Sequence, residues 1–229
     1  YNEIDLVIVN FYPLEKTLKQ SKNHEKILEN IDIGGPTLVR AAAKNYNYVT
    51  IVTSISQYEE LIKNLNENKG ATSLEFRKKA ALEAFGETAY YESLIFNYFK
   101  DISPKEDSKK IILGLNKFEK LRYGENPHQN GAIYTTSKNL GLEKLNGKQL
   151  SYNNYADIFS ALQISKSFPN NKGTVIVKHG NPCGASVHEN NNESFLMAYK
   201  CDPLSSFGGI VSCNFKISKR VAVNLNKSF

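Results

Sequence analysis

Asp5-Leu6-Val7-Ile8-Val9-Asn10-Phe11 is an apolar run that stops at Pro13, and its reading decides the first half of the fold. A run without polar alternation predicts a strand buried on both faces, as in a parallel sheet covered by helices. Outward from it, Leu14 to Glu29 is patterned as a helix. Asp32-Ile33-Gly34-Gly35-Pro36-Thr37 then forms a tight turn feeding the helix LVRAAAKN, with Pro36 near its first position. Tyr48 to Val52 (YVTIV) predicts a second buried strand. Ser56-Gln57-Tyr58-Glu59 reads as a capping box for a helix reaching Asn66. Thr72-Ser73-Leu74-Glu75 opens a longer helix whose apolar positions are Leu74, Ala81, Leu82, Phe85, Ala89, Leu94, Ile95 and Phe99. Alternating strands and helices predict an α/β fold here.

Lys100 to Lys110 (KDISPKEDSKK) is the best linker candidate. Beyond it, strand-like pieces recur at Ile111 to Leu115, Ala132 to Thr136, Thr174 to Val177 and Gly209 to Cys213, and a helix is expected from Tyr155 to Ser167. The expected organisation is a first domain over residues 1–102, a linker over 103–117 and a second domain over 118–229.

With 41% hydrophobic residues and a mean hydropathy of −0.42, the chain has enough apolar side chains for a core. No apolar run is long enough to span a bilayer, and the first residues lack the basic and apolar regions of a signal peptide. A cytoplasmic protein with neither a membrane nor a nucleic acid as partner is expected. The chain starts without Met and almost directly in a strand, so sequence is expected to precede Tyr1. The net charge of +6 fits a lysine-rich surface or attraction of anionic substrates; it is not gathered into a basic run of the kind that binds nucleic acid. Cys183, Cys201 and Cys213 are odd in number and form no CxxC, which predicts reduced thiols and no zinc site.

Five segments concentrate chemistry. The Gly34-Gly35 turn presents backbone N–H groups at a helix start, and Arg40 and Lys44 share one face of that helix. Asn10 and Tyr12 lie at a strand's carboxyl end, where open α/β sheets bind ligands; a core cap and a turn are the equal alternative. Leu121-Arg122-Tyr123-Gly124-Glu125-Asn126-Pro127-His128-Gln129 packs a cation, an aromatic ring and an Asn-Pro turn together, and Arg122 suits a phosphate. Thr174 to Gly184 (TVIVKHGNPCG) delivers Lys178 and His179 from a buried strand into a turn, as oxyanion stabiliser and general base. Cys183 reads better as a packed thiol than as a nucleophile. Asp202 to Gly209 (DPLSSFGG) sets Phe207 beside two glycines, which suits a flat ligand or a loop on the core.

Taken in order, NFYP, ENIDIGGPTLVRAAAKN, LRYGENPHQ, LNGKQLSYNN, VIVKHGNPCG and DPLSSFGGIV resemble the bifunctional AICAR formyltransferase/IMP cyclohydrolase family over essentially the whole chain. The resemblance implies part of a methylglyoxal synthase-like parallel-sheet domain followed by the start of a cytidine deaminase-like formyltransferase domain. It implies that AICAR is formylated by 10-formyltetrahydrofolate, without a catalytic metal, and that FAICAR is then closed to IMP. Tyr12, Asp32 and Lys44 match catalytic positions of the cyclohydrolase, with Asn10, Asp32 and Ile33 at the base. Lys178 and His179 match the catalytic pair of the formyltransferase, while Arg122, Tyr123, Phe207 and Gly208 match AICAR-binding positions. A deaminase would need H-x-E and P-C-x-x-C, but Gly180-Asn181 follow His179 and Gly184-Ala185-Ser186 follow Cys183, so the zinc ligands are absent. The family's phosphate loop and folate-binding half lie outside this stretch, and its sites are assembled in a homodimer. A regulatory ligand-binding module and a purely structural fragment are the competing readings; RYGENPHQ and VKHGNPCG weigh against the first.

Overall fold

The computed structural model describes residues 3–103, 108–136 and 139–228. The chain divides into two compact units, Tyr1–Leu115 and Asn116–Phe229. Both are mixed α/β with small sheets.

The first unit holds strands β1 (Leu6–Ile8) and β2 (Thr50–Val52), paired in parallel with Leu6 opposite Thr50. Helices α1 (Leu14–Gln20), α2 (His24–Glu29) and α3 (Gly34–Lys44) form the crossover that a parallel pair requires. After β2 come a short 3₁₀ turn (Ile55–Gln57), α4 (Tyr58–Glu67) and the long α5 (Leu74–Ile102). Val39, Ala43, Ile51, Val52 and Ala84 are fully buried where α3, β2 and α5 meet. Each larger aliphatic side chain there contributes about 1.5–3 kcal/mol. The small Ala42-Ala43 pair is what lets α3 approach so closely.

Several expectations need correction. The predicted strand from Asp5 to Phe11 is shorter and buried on one face only: Val7 and Val9 pack on the core, while Leu6 and Ile8 are 38% and 46% exposed. The helix expected from Leu14 to Glu29 is two helices, because Ser21 is extended and Asn23 caps α2 by accepting the Lys26 N–H. The capping box lies two residues earlier than expected. Ser54 is the cap, and Gln57 Oε1 accepts its N–H at 2.9 Å. In α5, Ser73 accepts the Phe76 N–H, but the buried stripe is Phe76, Ala80, Ala84, Thr88 and Tyr91. Of the apolar positions read from the sequence, Ala81 is buried but Leu82 is 74% exposed. Residues 104–107 of the expected linker lie outside the described residues. Ile111 to Leu115 forms no strand; it runs beside α5, where Asn97 Nδ2 donates to the Ile112 carbonyl.

The second unit starts with an antiparallel hairpin of β3 (Asn116–Lys120) and β4 (Ala132–Thr135), whose first two residues fall in the stretch expected as linker. Its other sheet has the order β6-β5-β7, all antiparallel, with β5 (Gly173–Lys178) central, β6 (Asn181–Val187) and β7 (Ile210–Cys213). Helix α6 (Tyr152–Ser167) covers one face, where Ala161 meets Val175 and Val177. Helix α7 (Asn191–Cys201) covers the other, where Ser194 Oγ donates to Thr174 Oγ1 at 3.0 Å. The short α8 (Pro203–Ser206) precedes β7, and α9 (Lys219–Ser228) packs Val221 against Phe195 of α7. Asn181-Pro182-Cys183-Gly184, expected to be a turn, is instead the start of β6. Pro182 is accommodated because β6 is an edge strand and the register slips beside it, between Ile176 and Val177. Cys183 sits at that irregularity, half-buried, with its thiol donating to the Ile176 carbonyl. Among the described residues no helix is long and apolar enough to cross a membrane.

Candidate functional site

In the first unit, a cleft of about 360 Å³ opens beyond the carboxyl ends of β1 and β2. Asn10 and Tyr12 line it, with Phe11, Glu15, Ser54, Glu87, Tyr90 and Tyr91. Asn10 Nδ2 donates to the Tyr58 hydroxyl at 3.0 Å, which fixes its amide at the strand end. Asp32 adjoins this cleft through Tyr91: the Asp32 N–H donates to the Tyr91 hydroxyl at 2.7 Å, and that hydroxyl donates to the Asn30 carbonyl. The Asp32 carboxylate accepts the Gly35 N–H at 2.8 Å and so holds the first turn of α3. Ile33, beside it, is 73% exposed. Lys44 is not in this group. It ends α3, about 15 Å from Gly34 along the axis at 1.5 Å per residue, and is exposed. The structure therefore gathers Asn10 and Tyr12, attaches Asp32 to them, and leaves Lys44 at the far end of the helix.

Sequence reasoning passed over Glu15 and Glu87 in this cleft. Glu87 is exposed as a whole residue, yet burial of its carboxyl, and next the neighbouring Glu15 charge, raise its pKa above the ordinary 4.5. A raised folded value favours the neutral form, so its contribution to stability is present below the ordinary value and lost as pH rises through the raised one. Glu87→Gln is expected to raise the thermal midpoint near pH 7 and leave it unchanged near pH 3. Melts at the two pH values check this; a lower midpoint near neutrality contradicts it.

In the second unit, helix α6 organises the site. Its cap is a reciprocal pair in which Ser151 and Asn154 satisfy each other's backbone N–H. Leu121 to Gln129 forms the loop of the β3–β4 hairpin, and the Asn126–Gln129 turn closes with the Gln129 N–H on the Asn126 carbonyl. That loop is fastened to the start of α6. The Arg122 N–H donates to the Leu150 carbonyl, the Tyr152 N–H to the Tyr123 carbonyl, and Asn153 Nδ2 to the Glu125 carbonyl. The Arg122 guanidinium stacks 4.7 Å over the Tyr123 ring and donates to its hydroxyl at 2.9 Å. That bond, with a smaller contribution from Ser151, lowers the Tyr123 pKa from its ordinary value.

Lys178 ends β5, and His179-Gly180 are a two-residue hairpin loop between Lys178 and its partner Asn181. Both loop residues have positive φ, 55° for His179 and 77° for Gly180, as a type I′ turn demands. Glycine adopts this freely, but a histidine held there costs of order 1 kcal/mol and persists only where its surroundings enforce it. Two α6 side chains do so. Asp157 Oδ1 accepts the Gly180 N–H at 2.7 Å, and Ser160 Oγ donates to the Gly180 carbonyl at 3.0 Å. Neither was apparent beforehand; the available signal was that Asn153, Asp157 and Ser160 are spaced four and three apart, on one helix face.

The DPLSSFGG segment joins from the other side. Lys178 Nζ donates to the Phe207 carbonyl at 2.8 Å. Asp202 caps α8 through the Ser205 N–H at 2.9 Å, and the Ser205 bonds, then the Leu204 N–H and the Lys178 charge, hold its pKa below the ordinary value. A Cβ on Gly209 would lie 2.9 Å from the Val177 carbonyl oxygen, so the close approach expected of this Gly-Gly is to the protein's own strand. Phe207 is 68% exposed, beside Gly208. Arg122, Tyr123, Lys178, His179, Phe207 and Gly208 are thus brought together around α6 and the end of β5. The two anchor points on α6, Tyr152 and Asp157, are about 8 Å apart along its axis. Among the described residues no group of three His, Cys, Asp or Glu side chains forms a metal site.

The profile of the AICARFT/IMPCHase bienzyme family matches residues 42–229. Proteins named bifunctional purine biosynthesis protein PurH are similar to this chain. The one from Listeria innocua serovar 6a is 43% identical over 232 residues, covering 99% of this chain and 45% of that protein. The one from Caldicellulosiruptor bescii is 42% identical over 235 residues, with the same coverage of both chains. The one from Aquifex aeolicus is 43% identical over 231 residues, again covering 99% and 45%. The chain therefore spans about 45% of the length of these relatives. With the profile matching most of its length and these relatives matching nearly all of it, the chain belongs to the AICARFT/IMPCHase bienzyme family.

Proposed function

We propose that the protein carrying this sequence performs two linked steps of purine biosynthesis: formyl transfer from 10-formyltetrahydrofolate to AICAR, then dehydrative closure of FAICAR to IMP. The observation that carries this reading is the gathering of the Arg122-Tyr123 loop and the Lys178-His179 turn on one helix, α6. On this reading residues 118–229 begin a cytidine deaminase-like formyltransferase domain. Residues 1–102 are part of a methylglyoxal synthase-like cyclohydrolase domain, for which the parallel pairing of β1 with β2 is support. The protein works in the cytoplasm as a homodimer.

In formyl transfer, the amino nitrogen of AICAR attacks the formyl carbon while His179 takes the proton the nitrogen sheds. The carbonyl oxygen becomes an oxyanion. One ammonium hydrogen of Lys178 is on the Phe207 carbonyl, and two remain for that oxygen. Collapse breaks the bond to the folate nitrogen, which regains a proton from His179. Arg122 holds the substrate phosphate; Tyr123, Phe207 and Gly208 border the base. In ring closure the carboxamide nitrogen of FAICAR attacks the formyl carbon, and the resulting carbinolamine loses water. The family resemblance assigns the proton transfers of that step to Tyr12, which lines the cleft, Asp32, which adjoins it, and Lys44, which stands apart at the end of α3, with Asn10 and Ile33 at the base; neither step needs a metal.

The test is made on the full-length protein. Given AICAR and 10-formyltetrahydrofolate it is expected to release tetrahydrofolate and form IMP. Given FAICAR alone, it is expected to form IMP in the wild type and much more slowly in Lys44→Ala. Wild-type ring closure in Lys44→Ala would remove Lys44 from the mechanism. Absence of folate-dependent IMP formation would overturn the whole reading.

A further inference from the structure

We propose that Asp157 and Ser160 of α6 are positioning residues for His179, setting the place from which its imidazole reaches the substrate. This rests on the assignment of His179 as the base of formyl transfer. The loop that carries His179 has only two residues, and both hold positive φ. Strand pairing alone leaves the loop's outer peptide group, at Gly180, free to reorient. Here both polar ends of Gly180 are taken: its N–H by the Asp157 carboxylate at 2.7 Å and its carbonyl by the Ser160 hydroxyl at 3.0 Å. The first is a charge-assisted bond and the stronger of the two. Asn181 Nδ2 donates to the His179 carbonyl at 3.1 Å and closes the turn.

The helix that holds the loop is itself packed on the sheet. One turn past Asp157, Ala161 is fully buried against Val175 and Val177, the strand residues leading to Lys178. One turn before Asp157, Asn153 holds the Glu125 carbonyl of the Arg122-Tyr123 loop. A single rigid element therefore fixes the base on one side and the AICAR-binding loop on the other. The distance between base and reacting amine is set by residues that touch neither. Asp157 and Ser160 are not catalytic; they act through the two peptide groups that flank Gly180, His179–Gly180 and Gly180–Asn181.

The test uses the full-length protein and steady-state formyl transfer. Asp157→Ala is expected to lower kcat about 10- to 100-fold, because displacing a reacting group by about 1 Å costs up to that much, with the KM for AICAR little changed. Asp157→Asn keeps an acceptor for the Gly180 N–H and is expected to restore most of the rate. Ser160→Ala removes one hydroxyl and is expected to lower kcat about three- to tenfold by the same geometric effect. It keeps the proposal testable if Asp157→Ala does not fold. In a His179→Ala background, adding Asp157→Ala is expected to cause no further loss, since a residue acting only through the imidazole has nothing left to position. Wild-type kcat in Asp157→Ala or Ser160→Ala, or an equal loss with and without His179, would overturn the positioning role. If His179→Ala itself keeps full formyl transfer, the base assignment fails first. If His179→Ala is inactive while Asp157→Ala is fully active, the positioning role alone fails.

Discussion

Replacing His179 by alanine in the full-length protein is expected to lower the kcat for formyl transfer by about 10²–10⁴-fold, the span that a general base supplies, while AICAR affinity stays close to that of the wild type. The asymmetry follows from where the two halves of the site are held. The loop of Arg122, Tyr123 and Glu125 is fastened to the start of α6 and the residue before its cap by three hydrogen bonds that do not involve His179. The imidazole sits on a separate turn at the end of β5. On the proposed assignment, removing it takes away a proton acceptor and leaves the Arg122-Tyr123 loop as it was. Single-turnover kinetics with a direct AICAR binding measurement separates the two quantities. A loss of affinity with an unchanged rate on bound substrate would make His179 a ligand contact and transfer the base role elsewhere.

The second large effect is on stability. Phe195→Ala is expected to cost about 3–5 kcal/mol, a major share of the roughly 5–15 kcal/mol that holds a typical domain folded. Phe195 is fully buried on α7, packed with Phe215 and Val221 and stacked 6.2 Å from the Tyr199 ring. Strand β7 contributes Val211 and Cys213 to the same cluster, and burial raises the Cys213 pKa above its ordinary value. Leu82→Ala is the control: at 74% exposure it is expected to shift stability by no more than about 0.5 kcal/mol. Urea unfolding followed by circular dichroism checks both; equal losses would mean that the burial of α7 is wrong.

How far the chain could be read beforehand depended on the range of the interactions. Thr50–Val52 and Gly173–Lys178 are legible because a buried strand needs only a short β-branched run. The start of α5 within Thr72–Glu75 is legible because capping, here by Ser73, is a contact between neighbours in sequence. The faces of elements are not. Leu82 and Phe76 are equally apolar, and only the meeting of α5 with α3 and β2 decides that Phe76 is inside. Leu6 and Ile8 looked buried because the run is continuous, but the two-stranded sheet covers only the Val7 and Val9 side. Pro182 and Gly184 imitated a turn because the register slip that admits them belongs to the pairing with β5. The same limit applied to the site. Lys178-His179 and Arg122-Tyr123 stand out as dense local clusters. Asp157 and Ser160 look like ordinary helix residues until the fold brings Gly180 against them.

The central claim is that the two units serve two separable chemical steps, with His179 confined to the first. The most direct measurement gives full-length His179→Ala two substrates in turn and follows IMP. With AICAR and 10-formyltetrahydrofolate, IMP formation is expected to fall to near background. With FAICAR, which bypasses formyl transfer, it is expected to proceed at the wild-type rate. Loss of both reactions, or retention of both, would contradict the account.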